Sequence, residues 1–335
     1  MLRHVGVMTV LALGLAAAVA CGGSPLPSSL TDQEFWTLVE TLSEPAGTFA
    51  LSENLVSNEA HYADRVRSLR QRGGVYMGVG PEQNYSYIAR LRPAMAFIVD
   101  IRTENRNLHL LYKALFELST DRGEFVARLF SRSCEAGLEK HSRIEDIFAA
   151  CAKATASPER FATNLAQVRE RLVGAHGFPL SQSDLDGIER ASRAFFSDGP
   201  DIHFWGKQSG DGARPSYRSL MLARDRDGNA RSYLASDDGF RFVKNLHSRN
   251  LIVPVVGDFG GNLSIRRTGD YVRARGETVS AFYASNVVVY LTNEQTVTFC
   301  KNLASLPASP SAAFVQNDGV RPLAAKVSEC SGGVK

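Results

Sequence analysis

The chain has little excess of either charge. Its 38 lysines and arginines nearly balance 35 aspartates and glutamates, which leaves a formal net charge of +3 over 335 residues. No stripe of basic residues is interleaved with aromatic ones. Nucleic-acid binding depends mainly on clustered lysines and arginines that neutralise phosphates, so the sequence predicts no nucleic-acid partner.

Several motifs of well-known chemistries are also missing. The sequence contains no CxxC pair, no HExxH helix, no GxxxxGK[ST] phosphate loop and no GxSxG turn. Its cysteines and histidines do not follow the spacing of zinc ligands. These absences argue against zinc peptidase, P-loop and serine hydrolase chemistry, and we predict no metal cofactor.

One long uncharged run stands at the start of the chain, and it is short for a membrane span. Residues 5–20 carry no charge and are mostly apolar. About 20 apolar residues are needed to cross a bilayer, so this run has the length of a secretory signal. It ends in Ala18-Val19-Ala20-Cys21, and small residues before a cysteine resemble a bacterial lipobox.

The first thirty residues therefore predict export. We expect residues 1–20 to be a signal peptide, Cys21 to be lipidated, and residues 21–30, which are rich in Gly, Ser and Pro, to form a flexible tether. The predicted location is the cell envelope, where the lipid anchor would make the membrane a partner. The alternatives are plain secretion and a cytoplasmic chain with an unusual start.

Cysteines are few, and their number suits an exported protein. Besides Cys21 the chain has Cys134, Cys151, Cys300 and Cys330. In an oxidising compartment, four cysteines can form two disulfides in three alternative pairings. We favour the pairing of sequence neighbours, Cys134 with Cys151 and Cys300 with Cys330. The alternative is four buried free thiols.

The order of apolar segments predicts an α/β fold. Continuous apolar runs are typical of parallel strands that are covered on both faces. Four such runs follow one another at residues 75–77, 96–100, 251–256 and 279–284. Residues 31–304 are therefore predicted to form one α/β domain.

A long helical segment interrupts this pattern. Apolar residues at helical spacing fill residues 103–200, between the second strand and the strand that precedes Asp258. We expect a large helical insertion there, which is a lid, a substrate domain or a simple elaboration. Residues 305–335 are rich in Ser, Pro and Ala, and we interpret them as a C-terminal extension with room for an edge strand.

The first predicted βαβ unit carries a ligand-binding pattern. Gly78 and Gly80 lie between a strand and a helix, where glycine lets backbone N–H groups approach an anionic ligand. Asp100 ends the next strand, twenty residues after Gly80, at the spacing of an acid that binds ribose. The alternative is a tight turn with an exposed acid. Three polar residues near Asp100 lie either at the same crevice or in a solvated helix start: Arg102, Asn105 and Arg106.

Two further strand ends extend the pattern and carry a resemblance. Asp258 follows the third run, and Ser285 and Asn286 follow the fourth. In this order the four segments resemble motifs I to IV of class I S-adenosylmethionine-dependent methyltransferases. Residues 44–302 also resemble an uncharacterised bacterial family with a methyltransferase-like fold, most closely in GVYMGVGPEQN at 74–84 and YIAR at 87–90. The resemblance implies a Rossmann-like methyltransferase-type sheet.

The resemblance also implies a role for each of these residues. Gly78 and Gly80 would lie against the methionine part of S-adenosylmethionine, and Asp100 would hold its ribose. Three residues would complete the site: Asp258 at the adenine amino group, and Ser285 and Asn286 beside the sulfonium and the methyl acceptor. The resemblance identifies no catalytic residue.

Two residues depart from the methyltransferase pattern. Tyr76 stands where motif I usually has an acid, and Glu82 replaces its third glycine. Two functions are therefore open. One is methyl transfer to an unknown acceptor. The other is a catalytically inactive lipoprotein that uses the fold as a ligand- or protein-binding module.

The lipobox makes a prediction of its own. Cys21→Ser should leave an unprocessed precursor or a soluble form, because the residue that carries the lipid is lost. Fractionation of cells that express the full chain measures this, with Ser24→Ala as the control. Unchanged membrane association of the Cys21→Ser variant would contradict the prediction.

Overall fold

The computed structural model describes residues 25–49, 54–134, 138–139, 141–203 and 214–332. The predicted signal peptide, Cys21 and the first part of the tether lie outside the described residues. The strands are β1 Val75–Gly78, β2 Met95–Asp100, β3 Ile252–Val256, β4 Val279–Ser285, β5 Ala308–Gln316 and β6 Gly319–Pro322.

Helices connect and surround these strands. The α-helices are α1 Asp32–Leu42, α2 Tyr62–Ser68, α3 Gln83–Leu91, α4 Thr103–Leu118, α5 Arg122–Phe130, α6 Ile144–Lys153, α7 Pro158–Arg169, α8 Gln182–Asp198, α9 Tyr217–Met221, α10 Asp237–Ser248, α11 Ser264–Arg273, α12 Asn293–Ser305 and α13 Leu323–Gly332. Shorter segments are a π-helix, Glu170–Ala175, and two 3₁₀-helices, Gly199–Asp201 and Val287–Tyr290.

The six strands form one mixed, mostly parallel sheet, which confirms the predicted α/β class. Their order is β3-β2-β1-β4-β5-β6, and only β6 runs antiparallel to its neighbour. The chain first adds β2 and β3 on one side of β1 and then places β4 on the other side. The direction of strand addition therefore reverses beside β1.

The central strands form because their sequences suit burial on both faces. Every residue of β1, β2 and β3 is buried. In the register of the sheet, Met77 lies between Phe97 of β2 and Phe282 of β4. Continuous rather than alternating apolar runs follow from this arrangement, since no face of these strands meets water.

The sheet extends beyond the predicted boundary at residue 304. β5 is an interior strand, which pairs in parallel with β4 and antiparallel with β6, so β6 is the edge strand. The prediction stopped too early because the first four residues of β5, Ala308 to Ser311, are mostly exposed and read as a polar segment. Only the second half of the strand has the apolar character of a core element.

The predicted helical insertion shares the core of the sheet domain. Helices α4 to α10 lie between β2 and β3 in the chain. Tyr85 of α3 forms ring contacts with Tyr112 and Phe116 of α4 and with Tyr233, at centroid distances of 5.3 to 5.4 Å. Because these rings are buried, they join the insertion to the helix that follows β1.

Two disulfides confirm the pairing of neighbouring cysteines. Cys134 bonds Cys151, and Cys300 of α12 bonds Cys330 of α13. Such bonds are compatible with an extracellular or envelope location, where thiols are oxidised. Across the described ranges, no helix combines the length and apolar character needed to cross a bilayer.

The Cys300–Cys330 disulfide should contribute measurably to stability. It closes a loop of 30 residues. Restricting the unfolded chain in this way corresponds to about 3 to 4 kcal/mol. Cys300→Ser/Cys330→Ser should lower the free energy of unfolding by roughly that amount in urea titrations. Ser328→Ala, at an exposed position of α13, is the control, and equal stability of the two variants would contradict the prediction.

Candidate functional site

A cavity of about 340 Å³ lies at the carboxyl ends of the parallel strands. Small-molecule sites typically span roughly 300 to 1,000 Å³. Residues 79–81 after β1, 100–102 at β2, 257–259 after β3 and 285–287 at β4 contribute to its lining. It therefore lies where the strand order reverses beside β1, the position at which open α/β sheets bind ligands.

The cavity brings together five of the six predicted binding residues. They are Gly80, Asp100, Asp258, Ser285 and Asn286. Their segments are far apart in the sequence, and the parallel register carries each of them to the same edge of the sheet. The structure therefore brings these five residues together in one crevice, as the sequence predicted.

Gly78 does not line the cavity, and this corrects its predicted position. A Cβ atom there would lie 2.1 Å from Asn84 Oδ1 and 2.6 Å from Tyr76 Oη. Glycine is thus required because the side chains of Asn84 and Tyr76 fill the adjacent space. Gly78 therefore shapes the loop from inside the protein.

Asn84 holds the loop that follows β1. Its buried amide Nδ2 donates to the carbonyls of Val79, Gly80 and Pro81 at 2.9, 3.0 and 2.7 Å. Tyr76 Oη donates to Asn84 Oδ1 at 2.8 Å. Tyr76, at the position of the missing motif acid, therefore orients the residue that fixes the loop.

Gly80 adopts a left-handed backbone conformation within this loop. Its φ of +76° lies in the left-handed region that favours glycine, and a Cβ atom there would meet nothing within 4 Å. His109 Nε2 of α4 donates to the Gly80 carbonyl at 2.9 Å, and Tyr85 Oη lies 2.6 Å from His109 Nδ1. Burial lowers the pKa of His109 to about 4, so the ring is neutral and can accept the Tyr85 hydrogen.

Asp100 is held in position by its neighbour Arg102. The guanidinium donates from Nε to Oδ1 and from Nη2 to Oδ2, each at 2.8 Å, and both side chains are almost fully buried. A carboxylate has about four lone-pair sites. Asp100 therefore keeps acceptor capacity for a ligand hydroxyl. Of the three polar residues named near it in the sequence, only Arg102 lines the cavity.

Asp258 follows β3, which lies on the same side of the strand reversal as the Asp100 strand β2. Its Oδ1 accepts the Gly260 N–H at 2.8 Å, and Gln295 Nε2 lies 3.4 Å from Oδ2. Its own N–H donates to Glu44 Oε1 at 2.7 Å. These contacts fix the start of the loop after β3 and leave part of the carboxylate facing the cavity.

A buried carboxylate that no sequence pattern predicted lies behind the cavity wall. Glu59 is 7% exposed and forms an ion pair with Arg65. It also accepts hydrogen bonds from Gln83 Nε2 at 3.1 Å, from Tyr283 Oη at 2.9 Å and from Ser285 Oγ. These five residues are called the Glu59 cluster below. Glu59 precedes α2 in a segment without motif spacing, so no signal in the sequence singled it out.

Ser285 has an unusual backbone within the Glu59 cluster. It ends β4 with φ of +50°, which a non-glycine residue rarely adopts and which costs about 1 to 3 kcal/mol. Its hydrogen bond to Glu59 helps to hold that conformation. Such strain concentrates at binding sites, and Ser285 faces the cavity.

The described lining of the cavity carries a small negative charge. Among the described residues, the charged ones in the lining are Asp100, Arg102 and Asp258, which sum to −1. Within the described parts of the chain, no group of three or more His, Cys, Asp or Glu side chains is placed to hold a metal ion.

One family matches most of this chain. Residues 54–176 and 208–317 match a family described as a domain of unknown function (DUF7790). The match covers more than half of the 335 residues. The chain belongs to this family. The DUF7790 match includes the five cavity residues and the whole Glu59 cluster, whereas all of α8 falls between its two segments. No curated protein matches the chain.

Glu82, which replaces the third motif glycine, is a buried acid of the DUF7790 domain. Burial raises the pKa of its carboxyl to about 8, and the hydrogen bonds that it accepts offset only part of that effect. The Ser57 N–H donates to its two oxygens at 3.2 and 3.3 Å. Ser57 lines the cavity, so the carboxyl of Glu82 supports the cavity wall from behind.

Glu82 should make stability depend on pH. Its pKa in the folded state, about 8, exceeds the unfolded value of about 4.3. The folded chain therefore binds the extra proton, and the free energy of unfolding should fall as the pH rises between these two values. Glu82→Gln, which mimics the neutral acid, should be more stable than the wild type at about pH 8 and should lose that advantage at about pH 5.

Urea unfolding at the two pH values measures this difference. Glu294→Gln is the matched control, because Glu294 is exposed in the first turn of α12. The same pH dependence in wild type and Glu82→Gln would show that Glu82 is ionised throughout.

Proposed function

We propose that the cavity binds S-adenosylmethionine or a related nucleoside, and that the protein is a methyltransferase-like protein of the cell envelope. One observation carries the proposal. Gly80, Asp100 and Asp258 line a single cavity at the strand reversal, together with Ser285 and Asn286.

The topology supports this ligand class. The order 3-2-1-4-5-6 is that of nucleotide-binding doubly wound sheets, which take their ligands at the same reversal point. The antiparallel last strand is the difference from an all-parallel sheet. We infer that the sheet is of the Rossmann-like methyltransferase type, with α4 to α10 as its helical insertion.

The side chains suit the parts of such a ligand. The turn at Gly80 and the start of α3 present backbone dipoles at the end of β1. Asp100 accepts three hydrogen bonds from Arg102, which leaves one of its about four lone-pair sites for a ribose hydroxyl. Asp258 retains lone pairs for an amino group. A lining charge of −1 favours a ligand with net positive charge. Bound S-adenosylmethionine would supply an electrophilic methyl group, and Ser285 and Asn286 would lie beside its sulfonium and the acceptor.

A second function has its own support. Two disulfides indicate an oxidising compartment, where S-adenosylmethionine is not expected to be abundant. A non-catalytic envelope lipoprotein, anchored at Cys21, would use the same cavity to bind a nucleoside-type ligand without methyl transfer. A fold does not fix a function, so the two proposals share one binding site and differ in the reaction.

Calorimetry with S-adenosylmethionine and S-adenosylhomocysteine tests the binding proposal. The purified protein should bind both ligands. Asp100→Asn should weaken binding at least about tenfold, because it removes a charged acceptor from the ribose position while it keeps a partner for Arg102. Asp270→Asn, on the exposed side of α11, should leave the affinity unchanged.

The outcomes separate the two functions. Absence of heat with either ligand would contradict the binding proposal. Binding together with slow release of S-adenosylhomocysteine from S-adenosylmethionine, on addition of candidate acceptors, would support the enzyme. Binding without any turnover would support the inactive module.

A further inference from the structure

Two hydroxyl groups of the cavity wall donate hydrogen bonds to a residue behind the wall. Tyr283 Oη and Ser285 Oγ both donate to Oε1 of Glu59, and both residues line the cavity. A hydroxyl group has a single hydrogen. Tyr283 Oη also accepts from Gln83 Nε2 at 3.2 Å, which leaves it one lone pair. Any further hydrogen bond between these two oxygens and a ligand must therefore be one that the oxygens accept.

Glu59 fixes the direction in which both hydroxyl groups donate. The carboxylate accepts from Arg65 and Gln83 as well, and it is buried away from water. Burial, reinforced by the charge of Glu59, raises the pKa of Tyr283 well above its ordinary value, so its hydroxyl keeps the hydrogen that it donates. Glu59, which lies behind the cavity wall, thus sets the orientation of both hydroxyl groups.

A third acceptor on the same cavity has no donor. Asn54 Oδ1 is buried and, among the described residues, meets no hydrogen-bond partner. Asn54 lines the cavity. An unpaired buried acceptor costs free energy that a donor on a ligand would recover.

We propose that Ser285 Oγ, Tyr283 Oη and Asn54 Oδ1 form an ammonium subsite, which binds a primary ammonium group of the ligand. This inference rests on the proposed function, and it specifies which part of the ligand meets the end of β4. An ammonium group carries three hydrogens and no acceptor, which complements a wall that offers acceptors. The lining charge of −1 favours the same group.

Glu59 acts in this subsite as a positioning residue. It does not line the cavity, and it reaches the ligand only through the two hydroxyls whose hydrogens it accepts. If Glu59 became an amide, its Nε2 could donate to those oxygens. Their hydrogens would then turn towards the cavity and oppose an ammonium group.

The test compares two ligands that differ in one group. S-adenosylhomocysteine carries the ammonium, whereas its deamino analogue keeps the nucleoside, the thioether and the carboxylate. Calorimetry of the purified full chain should give wild-type affinity at least about tenfold higher for S-adenosylhomocysteine. Glu59→Gln and Tyr283→Phe should bring the affinity ratio close to one, mainly by weakening S-adenosylhomocysteine.

Control variants separate a specific effect from general damage. Tyr271→Phe removes a hydroxyl outside the cavity and should keep the wild-type ratio. Ser285→Gly removes the second hydroxyl, and glycine tolerates the positive φ of that position, so it is a further test that preserves the backbone. Variants that weaken both ligands equally would assign the hydroxyls a structural role only and would overturn the inference.

The inference and the proposed function fail in different ways. If the wild type binds both ligands with equal affinity, the nucleoside site stands and the ammonium subsite is wrong. If the wild type binds neither ligand, the proposed function is wrong, and the ammonium subsite falls with it.

Discussion

The hydrogen bonds of Asn84 are the constraint on which the cavity depends. One buried amide group holds three successive carbonyls after β1, and this sets the path of the chain through Gly80. The space that Asn84 needs also explains why position 78 is glycine. From the other side, His109 holds the Gly80 carbonyl, so α4 takes part in shaping the cavity.

This arrangement gives the helical insertion a role in the site. His109 belongs to the first helix of the insertion, and Tyr85, its hydrogen-bond partner, belongs to the helix that follows β1. The insertion therefore packs into the core and holds the loop after β1, which a loosely attached lid would not do. Neither disulfide contributes to the lining of the cavity. Reduction of the disulfides would therefore change bonds outside the cavity and no residue that lines it.

Local sequence patterns predicted the parallel strands β1 to β4 and the residues at their ends. These strands are buried on both faces, and glycines or acids follow them directly, so the signal is continuous. β5 was missed as an interior strand because half of it is exposed. The Glu59 cluster could not be found locally, since Tyr283 and Ser285 lie 224 and 226 residues from Glu59 in sequence. Only the strand order brings them together.

The two departures from the methyltransferase pattern are linked by this geometry. The side chains of Tyr76 and Glu82 are both buried. Tyr76 donates a hydrogen bond to Asn84, and Glu82 accepts one from the Ser57 N–H. A different carboxylate, Glu59, binds the two hydroxyls at the end of β4 from behind the cavity wall. On the proposed function, the ligand meets neutral hydroxyl oxygens whose orientation Glu59 sets. Recognition would then combine the number and direction of these hydrogen bonds with the lining charge of −1, since the charge of Glu59 itself is balanced by Arg65.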